Sequence, residues 1–481
     1  MTGKKPNILW ITTDQQRFDT LGCYGNQFVN TPNLDKLAEN GVQFTNAFSQ
    51  SPVCTPSRGC FLTGRYPRTC RVRQNGADIP ENEVLITKIL SDMGYICGLS
   101  GKLHLSCCDP EVSRGTERRI EDGYEEFHWS HDNSNLWVTN EYFQWLKEKN
   151  ALYVKKRFKK SRFVQYGWPE EYHQTTWCIE KAINFIKQSA MFEDPWLFSI
   201  NIFDPHHAFD PPEKYLNRYM KFFDEIPLPN YHEGELENKT EWQKIDHEGA
   251  YGQTERFKYR NMRERDHKAI KAAYWAMCDL IDAQIGKLLK ILKDTNQLEN
   301  TIIIFMSDHG EMLGDHGIYL KGPYFYEPAI HVPLIIYWKN HLPQKRIEAL
   351  VELIDLPQTI LDILDCSYYD GMQGESLWDL ISNEDKNDHH REDIYSEYYN
   401  AMPWHKDPTA QATMVRTERY KLVLDHTRSY GELYDLELDP NETNNLWNEQ
   451  GYSEIKTDML IRLSNRMAFT VDPLPLRRGR F

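Results

Sequence analysis

Short apolar runs that each end in an acidic, basic or imidazole side chain constrain the fold of this chain most strongly. They predict strands at about 7–13, 95–100, 196–203 and 301–306, followed in turn by Asp14, by Lys102 and His104, by Asp204 and His206, and by Asp308 and His309. A further run predicts a strand at 332–338, and helical patterns lie between the runs, the longest at about 264–294. This alternation is typical of an α/β fold with a large, mostly parallel sheet and helices on both faces.

The polar side chains that follow the predicted strands form the candidate active site. In open α/β sheets, ligands bind beyond the carboxyl ends of the strands. A single acidic residue after one strand would carry little weight, but here four separate strands end in this way. We therefore expect these side chains to converge at one edge of the sheet.

The pattern changes past about residue 365. Short segments such as "DIYSEYYN" and "ATMVRTERYKLVLD" read as strands joined by turns, and a helix is predicted near 453–468. These features indicate a smaller antiparallel subdomain with a helix. We expect a catalytic α/β domain at 1–365 and a C-terminal α+β subdomain at 366–481 that contributes to the substrate pocket.

Composition excludes several classes of protein. The 481 residues are 40% apolar and 26% charged, which is ordinary for a globular chain, and the net charge of −15 opposes nucleic-acid binding. No apolar run reaches the roughly 18 to 20 residues that span a bilayer, so we expect no membrane partner. The N-terminus as written has no signal peptide and predicts a cytoplasmic protein, with a periplasmic or secreted one open if a signal was trimmed.

The ten cysteines lack a dense spacing pattern, which favours reduced thiols over a disulfide scaffold. One of them is in an unusual segment, "SPVCTPSRGCFLTGR" at 51–65. Pro56 suits the first turn of a helix and Thr55 is a plausible cap, so Cys54 would lie at the positive end of the helix dipole. That position lowers a thiol pKa and binds anions, and Arg58 and Arg65 add guanidinium groups. A buried structural thiol remains the alternative for a cysteine considered alone.

The segment "CTPSRGCFLTGR" resembles the signature of the sulfatase family, Cys-x-Pro-Ser-Arg followed by Leu-Thr-Gly-Arg, and the resemblance extends over nearly the whole chain. It implies an alkaline-phosphatase-like fold. In this family the cysteine is oxidised after synthesis to formylglycine, whose hydrate is the nucleophile. The resemblance therefore makes Cys54 a precursor, and it implies a formylglycine-generating enzyme or an anaerobic sulfatase-maturing enzyme as a partner.

Two further segments resemble the metal-binding segments of that family, "TTDQQRFDTLGCYGN" and "SDHGEMLGDHG". They imply that a metal is held by Asp14, Gln15, Asp308 and His309 together with the group derived from Cys54. Many sulfatases carry a second Asp where this chain has Gln15, which is shared with the branch of choline sulfatases and phosphonate monoester hydrolases. The resemblance implies Ca²⁺, and these oxygen-rich ligands leave Mg²⁺ or Mn²⁺ open.

Four other segments resemble catalytic or substrate-binding motifs of the family. The first three are "SGKLHL", "DPHHAFDPP" and the lysine-bearing "GIYLKGPYFYEP", and they imply catalytic roles for Lys102 and His104, for His206 and for Lys321 respectively. The fourth, "RQNGADIP", implies that Asn75 contacts the substrate. His207 is the less favoured alternative to His206, and Ala208 stands where proline is usual. We expect Lys102 and His104, two residues apart, to face the site together from an extended segment.

The resemblance also implies a mechanism. The metal, Lys102 and Lys321 neutralise the sulfate, and Arg58 holds the hydrate that attacks sulfur. His206 protonates the departing alcohol, and His104 then accepts a proton as the aldehyde re-forms and sulfate leaves. The expected activity is hydrolysis of a sulfate monoester, with a sulfated carbohydrate, such as a polysaccharide-derived saccharide, as the substrate by analogy.

Two other functions stay open. A phosphonate or phosphate monoester hydrolase on the same scaffold is compatible with Gln15 and Asn75, although those enzymes replace the Lys and His of "GKLH" by neutral hydroxyl residues. A non-catalytic protein that binds sulfated glycans would follow if Cys54 stayed unmodified.

The remaining candidates are weaker. In the C-terminal subdomain, four residues are candidates for substrate specificity: Glu397, Tyr398, His405 and Arg416. The basic segment 155–162 is interpreted as a solvated helix face, and 387–393 as a loop without metal-ligand spacing.

Overall fold

The computed structural model describes residues 4–113, 115–133, 138–153, 156–366, 369–383, 389–406 and 409–473. Those residues form two sheets. The larger sheet contains β1 (Asn7–Thr13), β2 (Val42–Phe48), β3 (Ile96–Gly101), β4 (Tyr124–Trp129), β5 (Trp196–Ile202), β6 (Thr301–Ser307), β7 (His331–Trp338), β8 (Lys345–Ile347) and β9 (Val351–Glu352). The smaller contains β10 (Ile394–Tyr399), β11 (Gln411–Arg416), β12 (Tyr420–Asp425) and β13 (Tyr430–Asp435).

The large sheet is mixed, with the order β4-β3-β5-β1-β6-β7-β2-β8, and β9 pairs with β2. Five neighbouring strands, from β4 to β6, run parallel, and β7 is antiparallel to both β6 and β2. Every residue of the central strands β1, β5 and β6 is buried. A continuous apolar run is what a strand covered on both faces requires.

The α-helices of the described residues are α1 (Pro32–Glu39), α2 (Cys54–Thr63), α3 (Pro67–Cys70), α4 (Ile86–Asp92), α5 (Glu141–Glu148), α6 (Gln174–Ser189), α7 (Glu213–Tyr219), α8 (Glu241–His247), α9 (Glu264–Asp294), α10 (Glu327–Ile330), α11 (Asp355–Ile363), α12 (Trp378–Ser382) and α13 (Ser453–Phe469). They cover both faces of the large sheet. Leu9 and Ile11 of β1 share a core with α1, α6 and α9, whereas Ile8 and Trp10 pack with α2, α4 and α11. The two cores follow from the alternation of side chains along a strand.

The parallel strands end at the same edge of the sheet. Thr13 pairs with Ile202 on one side and with Ser307 on the other, and Gly101 pairs with Asn201. The segments that leave β1, β3, β5 and β6 therefore start side by side, which confirms the predicted convergence of strand ends. The predicted bounds of these strands agree with the structure to within about two residues, and the predicted long helix is α9, Glu264–Asp294.

The small sheet is antiparallel throughout, in the order β10-β11-β12-β13, and α13 packs against β11 and β12. Val415, Leu422 and Leu433 of this sheet share a core with Leu463 of α13 and with Cys60 on α2. The predicted C-terminal sheet and helix are confirmed, and they pack against α2, the helix that begins with Cys54. The domain boundary at 365 stays a prediction.

One local expectation is wrong. The described part of 155–162, residues 156–162, contains turns and an isolated bridge between Arg157 and Gln165 instead of a helix, and Phe158 in its middle is buried; Lys155 lies outside the described residues. The predicted loop at 387–393 is described from His389 onward, where it is irregular up to the start of β10 at Ile394; residues 387 and 388 lie outside the described residues. Among the described residues, no helix is both long and apolar enough to cross a membrane.

Candidate active site

Cys54 is the first residue of α2, and its side chain is buried. The helix cap differs from the prediction: Val53 is the N-cap residue, and Thr55 is already inside the helix. The backbone N–H of Thr55 donates to the Oδ1 atom of Asn75 at 3.0 Å. A carboxamide from a distant loop thus satisfies a free donor of the first helical turn, as a capping side chain does.

The thiol and three neighbouring side chains form a group of four potential metal ligands. The ligand atoms of Asp14, Cys54, Asp308 and His309 all lie within 4.8 Å of one another, and all four residues are buried. The Sγ atom of Cys54 is 3.2 Å from Nε2 of His309 and 3.6 Å from Oδ1 of Asp14. Asp14 directly follows β1, and Asp308 directly follows β6, so the alignment of the two strand ends brings the carboxylates together.

Arg58 ties the helix to both carboxylates. Its Nε atom donates to Oδ2 of Asp308 at 2.9 Å, and its Nη2 atom to Oδ2 of Asp14 at 3.4 Å. A third bond, from Nη1 to the carbonyl oxygen of Lys102, measures 2.7 Å. Arg58 is fully buried, one turn along α2 from Cys54, which is where the signature spacing predicted it.

Lys321 contacts the thiol most closely. Its Nζ atom is 2.9 Å from Sγ of Cys54, 2.7 Å from Oε1 of Gln15 and 3.3 Å from Nε2 of His309. The carboxamide nitrogen of Gln15 donates to Glu311, a buried carboxylate, so its oxygen faces the cluster. Sequence reasoning did not single out Glu311, although it lies two residues after His309 in the quoted segment.

The charges of the cluster explain its pKa shifts. Burial opposes ionisation of Asp14, yet Lys102, His206, Lys321 and Arg58 hold its pKa well below the usual value. Burial and Asp14 raise the pKa of Cys54, but Lys102, Lys321 and His309 outweigh them and lower it overall. The predicted depression of the thiol pKa is confirmed, with lysines as its main cause.

The cluster fits a hard divalent cation. It offers two carboxylates and an amide oxygen, which Ca²⁺ and Mg²⁺ prefer, together with one imidazole. The Nδ1 atom of His309 lies 2.8 Å from the carbonyl oxygen of Gly310 and can only donate to it. A neutral His309 therefore carries its proton on Nδ1, and Nε2 is the nitrogen that can ligate a metal on the side of Asp14 and Cys54.

His206 lies beside this cluster. Burial, Lys321 and His207 hold its pKa well below 6.5, and Asp14 acts in the opposite direction. Its Nδ1 atom lies 2.6 Å from the carbonyl oxygen of His207. The ring of His207 instead contacts Arg256, with 3.1 Å between Nε2 and Nη2. Because the Nδ1 proton of His206 is committed to a carbonyl, Nε2 is the atom that can exchange protons with a substrate.

Lys102 and His104 follow β3. Gly101, which ends the strand, has φ 103°, and a Cβ atom there would lie 1.9 Å from the carbonyl oxygen of Asn201 on β5. Lys102 then reaches Oδ2 of Asp14 at 2.5 Å. The segment is less extended than expected, because His104 adopts φ 58°. Burial and Lys102 hold the pKa of His104 well below 6.5, and its ring packs against His131 at 4.6 Å between centroids.

Three other candidates have structural partners. Arg65 lies at the far end of α2, where it pairs with Glu83 and Asp472 instead of the thiol. It follows the C-cap residue Gly64, whereas Arg58 lies in the middle of the helix. In the C-terminal subdomain, Glu397 accepts from Arg68, and Arg416 pairs with Glu327.

The remaining C-terminal candidates belong to a buried network. His405 lies 3.4 Å from the Tyr398 hydroxyl and 2.9 Å from Oδ1 of Asp246. The adjacent Trp404 is 44% exposed and stacks on Tyr251, at 4.8 Å and 12°. Sequence reasoning missed this aromatic pair, because its two residues are far apart in the chain and carry no local motif.

Comparison with known proteins agrees with this geometry. The sequence model of the sulfatase family matches residues 6–366, and the model of the C-terminal region of N-sulphoglucosamine sulphohydrolase matches residues 314–468. An arylsulfatase of Clostridium perfringens is 31% identical over an alignment of 466 positions that covers 94% of this chain and 92% of that protein. The chain belongs to the sulfatase family. It is a sulfuric ester hydrolase.

Solved structures show the same fold. A phosphonate monoester hydrolase from Silicibacter pomeroyi superposes with a TM-score of 0.80 at 23% identity, covering 96% of this chain and 94% of that one. BT4656 in complex with its substrate D-glucosamine-2-N,6-O-disulfate superposes with a TM-score of 0.75 at 21% identity, covering 97% and 98%. The architecture of this sulfatase is therefore alkaline-phosphatase-like, as expected from the signature. Similarity at this level of identity establishes the fold, and the substrate has to be inferred from the residues of the site.

Proposed function

We propose that this sulfatase hydrolyses a sulfate monoester on a saccharide and that it uses formylglycine made from Cys54. The main support is the position of the Cys54 Sγ atom at the start of a helix, 2.9 Å from Nζ of Lys321 and 3.2 Å from Nε2 of His309. A structural thiol needs no such neighbours. A maturing enzyme that oxidises the cysteine would recognise the segment before or during folding, because Cys54 is buried in the folded chain.

Asp14, Gln15, Asp308 and His309 would hold Ca²⁺, with Mg²⁺ or Mn²⁺ as alternatives. When bound, the cation supplies positive charge that polarises a sulfate oxygen. The residues alone already place two carboxylates, Asp14 and Asp308, against three cationic groups, Arg58, Lys102 and Lys321. An anionic sulfate ester is thus favoured at this position despite the negative net charge of the protein.

The side chains divide the chemistry among them. Lys102 and Lys321 bind the non-bridging sulfate oxygens and stabilise the charge of the transition state. Arg58 fixes the side chain at position 54 through its bonds to Asp14 and Asp308. His206 delivers a proton from Nε2 to the leaving alcohol, since a bound sulfate raises the pKa that burial and Lys321 depress. His104, neutral because of burial, accepts the proton released when the hydrate returns to the aldehyde.

A saccharide is supported by the residues around the cluster. Tyr251 is buried near the cluster. Burial and Glu311 raise the pKa of its phenol, and the Cys54 thiol adds to this increase. The exposed indole of Trp404 stacks on the Tyr251 ring, and Arg256 lies over the same ring at 5.1 Å. Aromatic faces of this kind pack against sugar rings. The matched sulphohydrolase region and the disulfated glucosamine bound to a structural neighbour support the same substrate class.

The test compares leaving groups and reacting centres. Protein co-produced with a maturing enzyme is assayed in parallel on an aryl sulfate, on an aryl phosphonate and on a panel of defined sulfated saccharides. We expect sulfate release to exceed phosphonate hydrolysis, with a saccharide as the best substrate by kcat/KM. Faster phosphonate hydrolysis would favour the phosphonate monoesterase that Gln15 allows. Binding of sulfated saccharides without turnover by fully converted protein would favour the non-catalytic alternative.

A further inference from the structure

A second group of metal-type ligands lies beside the active site. His104 follows β3, His131 follows β4, and Cys108 lies on the loop between these strands. One ligand atom from each of the three residues falls within 4.8 Å of the others. The group is separate from the Asp14 cluster in composition, since it offers two imidazole nitrogens and a sulfur and no carboxylate.

The Nδ1 atoms of the two histidines have no hydrogen-bond partner within the part of the chain that the structure describes. These atoms, in His104 and His131, are both buried. His104 is 6% exposed. A buried polar atom without a partner is unfavourable, so two of them in one group call for a ligand that satisfies both. The thiol of Cys108 donates to the carbonyl oxygen of Ser106 at 3.3 Å, which leaves the lone pairs of its sulfur free to ligate a metal.

A buried carboxylate holds the group in place. Glu117 accepts hydrogen bonds from the backbone N–H groups of His104, Leu105 and Ser106, at 2.7, 2.8 and 3.2 Å. The same carboxylate accepts from Nε1 of Trp129 at 2.8 Å, two residues before His131. Glu117 therefore ties the loop that carries His104 to the end of β4. Such preorganisation of ligands is what a metal site requires.

We propose that His104, Cys108 and His131 bind one Zn²⁺ ion. Two imidazoles and a thiolate suit zinc and exclude Ca²⁺, whereas the oxygen-rich cluster at Asp14 suits the harder cation. Tetrahedral zinc keeps a fourth position for water or substrate. Binding releases the thiol proton of Cys108 to solvent, and no redox partner is needed.

Zinc at this position inhibits the enzyme. The ion engages His104, which then cannot accept the proton released from the residue at position 54. This consequence rests on the proposed role of His104, whereas the binding itself does not. The two are therefore tested separately.

Binding is measured without catalysis. Full-length Cys54→Ala protein, which lacks the thiol of the Asp14 cluster, is saturated with Ca²⁺ and then titrated with Co²⁺. We expect one equivalent to produce a thiolate-to-cobalt charge-transfer band, which Zn²⁺ abolishes by displacement. Adding Cys108→Ser should remove the band, and adding Cys107→Ser, the matched control at the neighbouring position, should leave it unchanged. A titration without the band, or a band that depends on Cys107, overturns the proposal.

Inhibition is measured on the converted wild-type enzyme with an aryl sulfate. Zn²⁺ should inhibit it, and a chelator selective for zinc over Ca²⁺ should restore the rate. Cys108→Ser and His131→Gln should each raise the inhibitory Zn²⁺ concentration by at least about tenfold while the rate without zinc stays within about twofold, because each removes one ligand. Equal zinc sensitivity of these variants and the wild type contradicts the inhibitory role. An inactive wild-type enzyme that still shows the cobalt band would contradict the proposed function and leave the metal site standing.

Discussion

Two buried charge clusters of this protein differ in how their partners are shared. In the first, at the strand ends, the Nζ atom of Lys321 contacts an amide oxygen, a thiol and an imidazole at once. The second lies beneath the C-terminal sheet. There, Glu352 pairs with both Arg391 and Arg466, and Asp355 pairs with Arg391. The first combines three cations and two carboxylates with a nucleophile, whereas the second contains guanidinium and carboxylate groups without one.

The second cluster is a structural network of hydrogen bonds and ion pairs. Glu352 accepts from the backbone of Tyr395 at 2.7 Å and from Nη2 of Arg466 at 2.7 Å, and Asp355 accepts from the backbone of Glu375 at 2.8 Å. These bonds join the loop after β9 to β10 and α13 and thereby the two sheets. Buried charges alone thus do not mark an active site in this chain. Competing partners around a nucleophile do.

Replacement of the nucleophile separates the two clusters most clearly. Cys54→Ala should lower turnover of an aryl sulfate by about 10⁴-fold or more, since the step that depends on the nucleophile is lost. The unfolding midpoint in urea should change little, because alanine fills the start of α2. Retained turnover in this variant, measured against protein made without the maturing enzyme, would remove the first cluster from the chemistry.

The opposite result is expected from the second cluster. Arg391→Met leaves the buried carboxylates of Asp355 and Glu352 short of a partner and should lower the free energy of unfolding by about 3–5 kcal/mol. Equilibrium urea unfolding measures this change. The kcat/KM of the folded fraction should stay at the wild-type value, and a specific loss of activity would show that the networks are coupled.

Two buried lysines give a matched pair. Lys321→Met should lower kcat by about 10²–10³-fold, because a preorganised donor to the sulfate is lost. Lys421, whose Nζ atom contacts Phe325, Glu327 and Glu442 in the C-terminal part, is equally buried. Lys421→Met should destabilise the fold and spare kcat. Steady-state kinetics at matched folded concentration distinguishes these outcomes, and equal losses of kcat would contradict the assignment of Lys321.

The smallest effect is expected at the rim. Trp404→Ala should raise KM for a sulfated saccharide by about 2- to 10-fold, since one sugar-stacking face is removed. KM for an aryl sulfate serves as the control and should change less. A uniform change for both substrates would argue that Trp404 acts through the fold.

The sequence predicts the central strands of the large sheet well because β1, β3, β5 and β6 are largely buried apolar runs with polar ends. The same feature predicts the convergence of Asp14, Lys102 and Asp308, whose strands end in register. The parallel strand β4, which carries two glutamates and a histidine and is half-buried, escapes this pattern. Long-range contacts escape this reasoning. Asn75 caps α2 from a loop 20 positions away, so the local pattern wrongly favoured Thr55.

The basic segment was misassigned for a related reason. Its charges resemble a solvated helix face, but Phe158 is buried in the core, and the described residues of the segment turn around it. His131 carries no motif, and only the pairing of β3 with β4 brings it to His104. Both outcomes depend on tertiary packing, which spacing along the chain does not encode.

The most direct test relates sulfate release to the state of position 54. Protein preparations with graded maturation are analysed by mass spectrometry of the peptide that contains this residue, and each is assayed on an aryl sulfate. The rate should rise in proportion to the formylglycine fraction and extrapolate to zero for unconverted Cys54. A rate independent of that fraction would contradict the account.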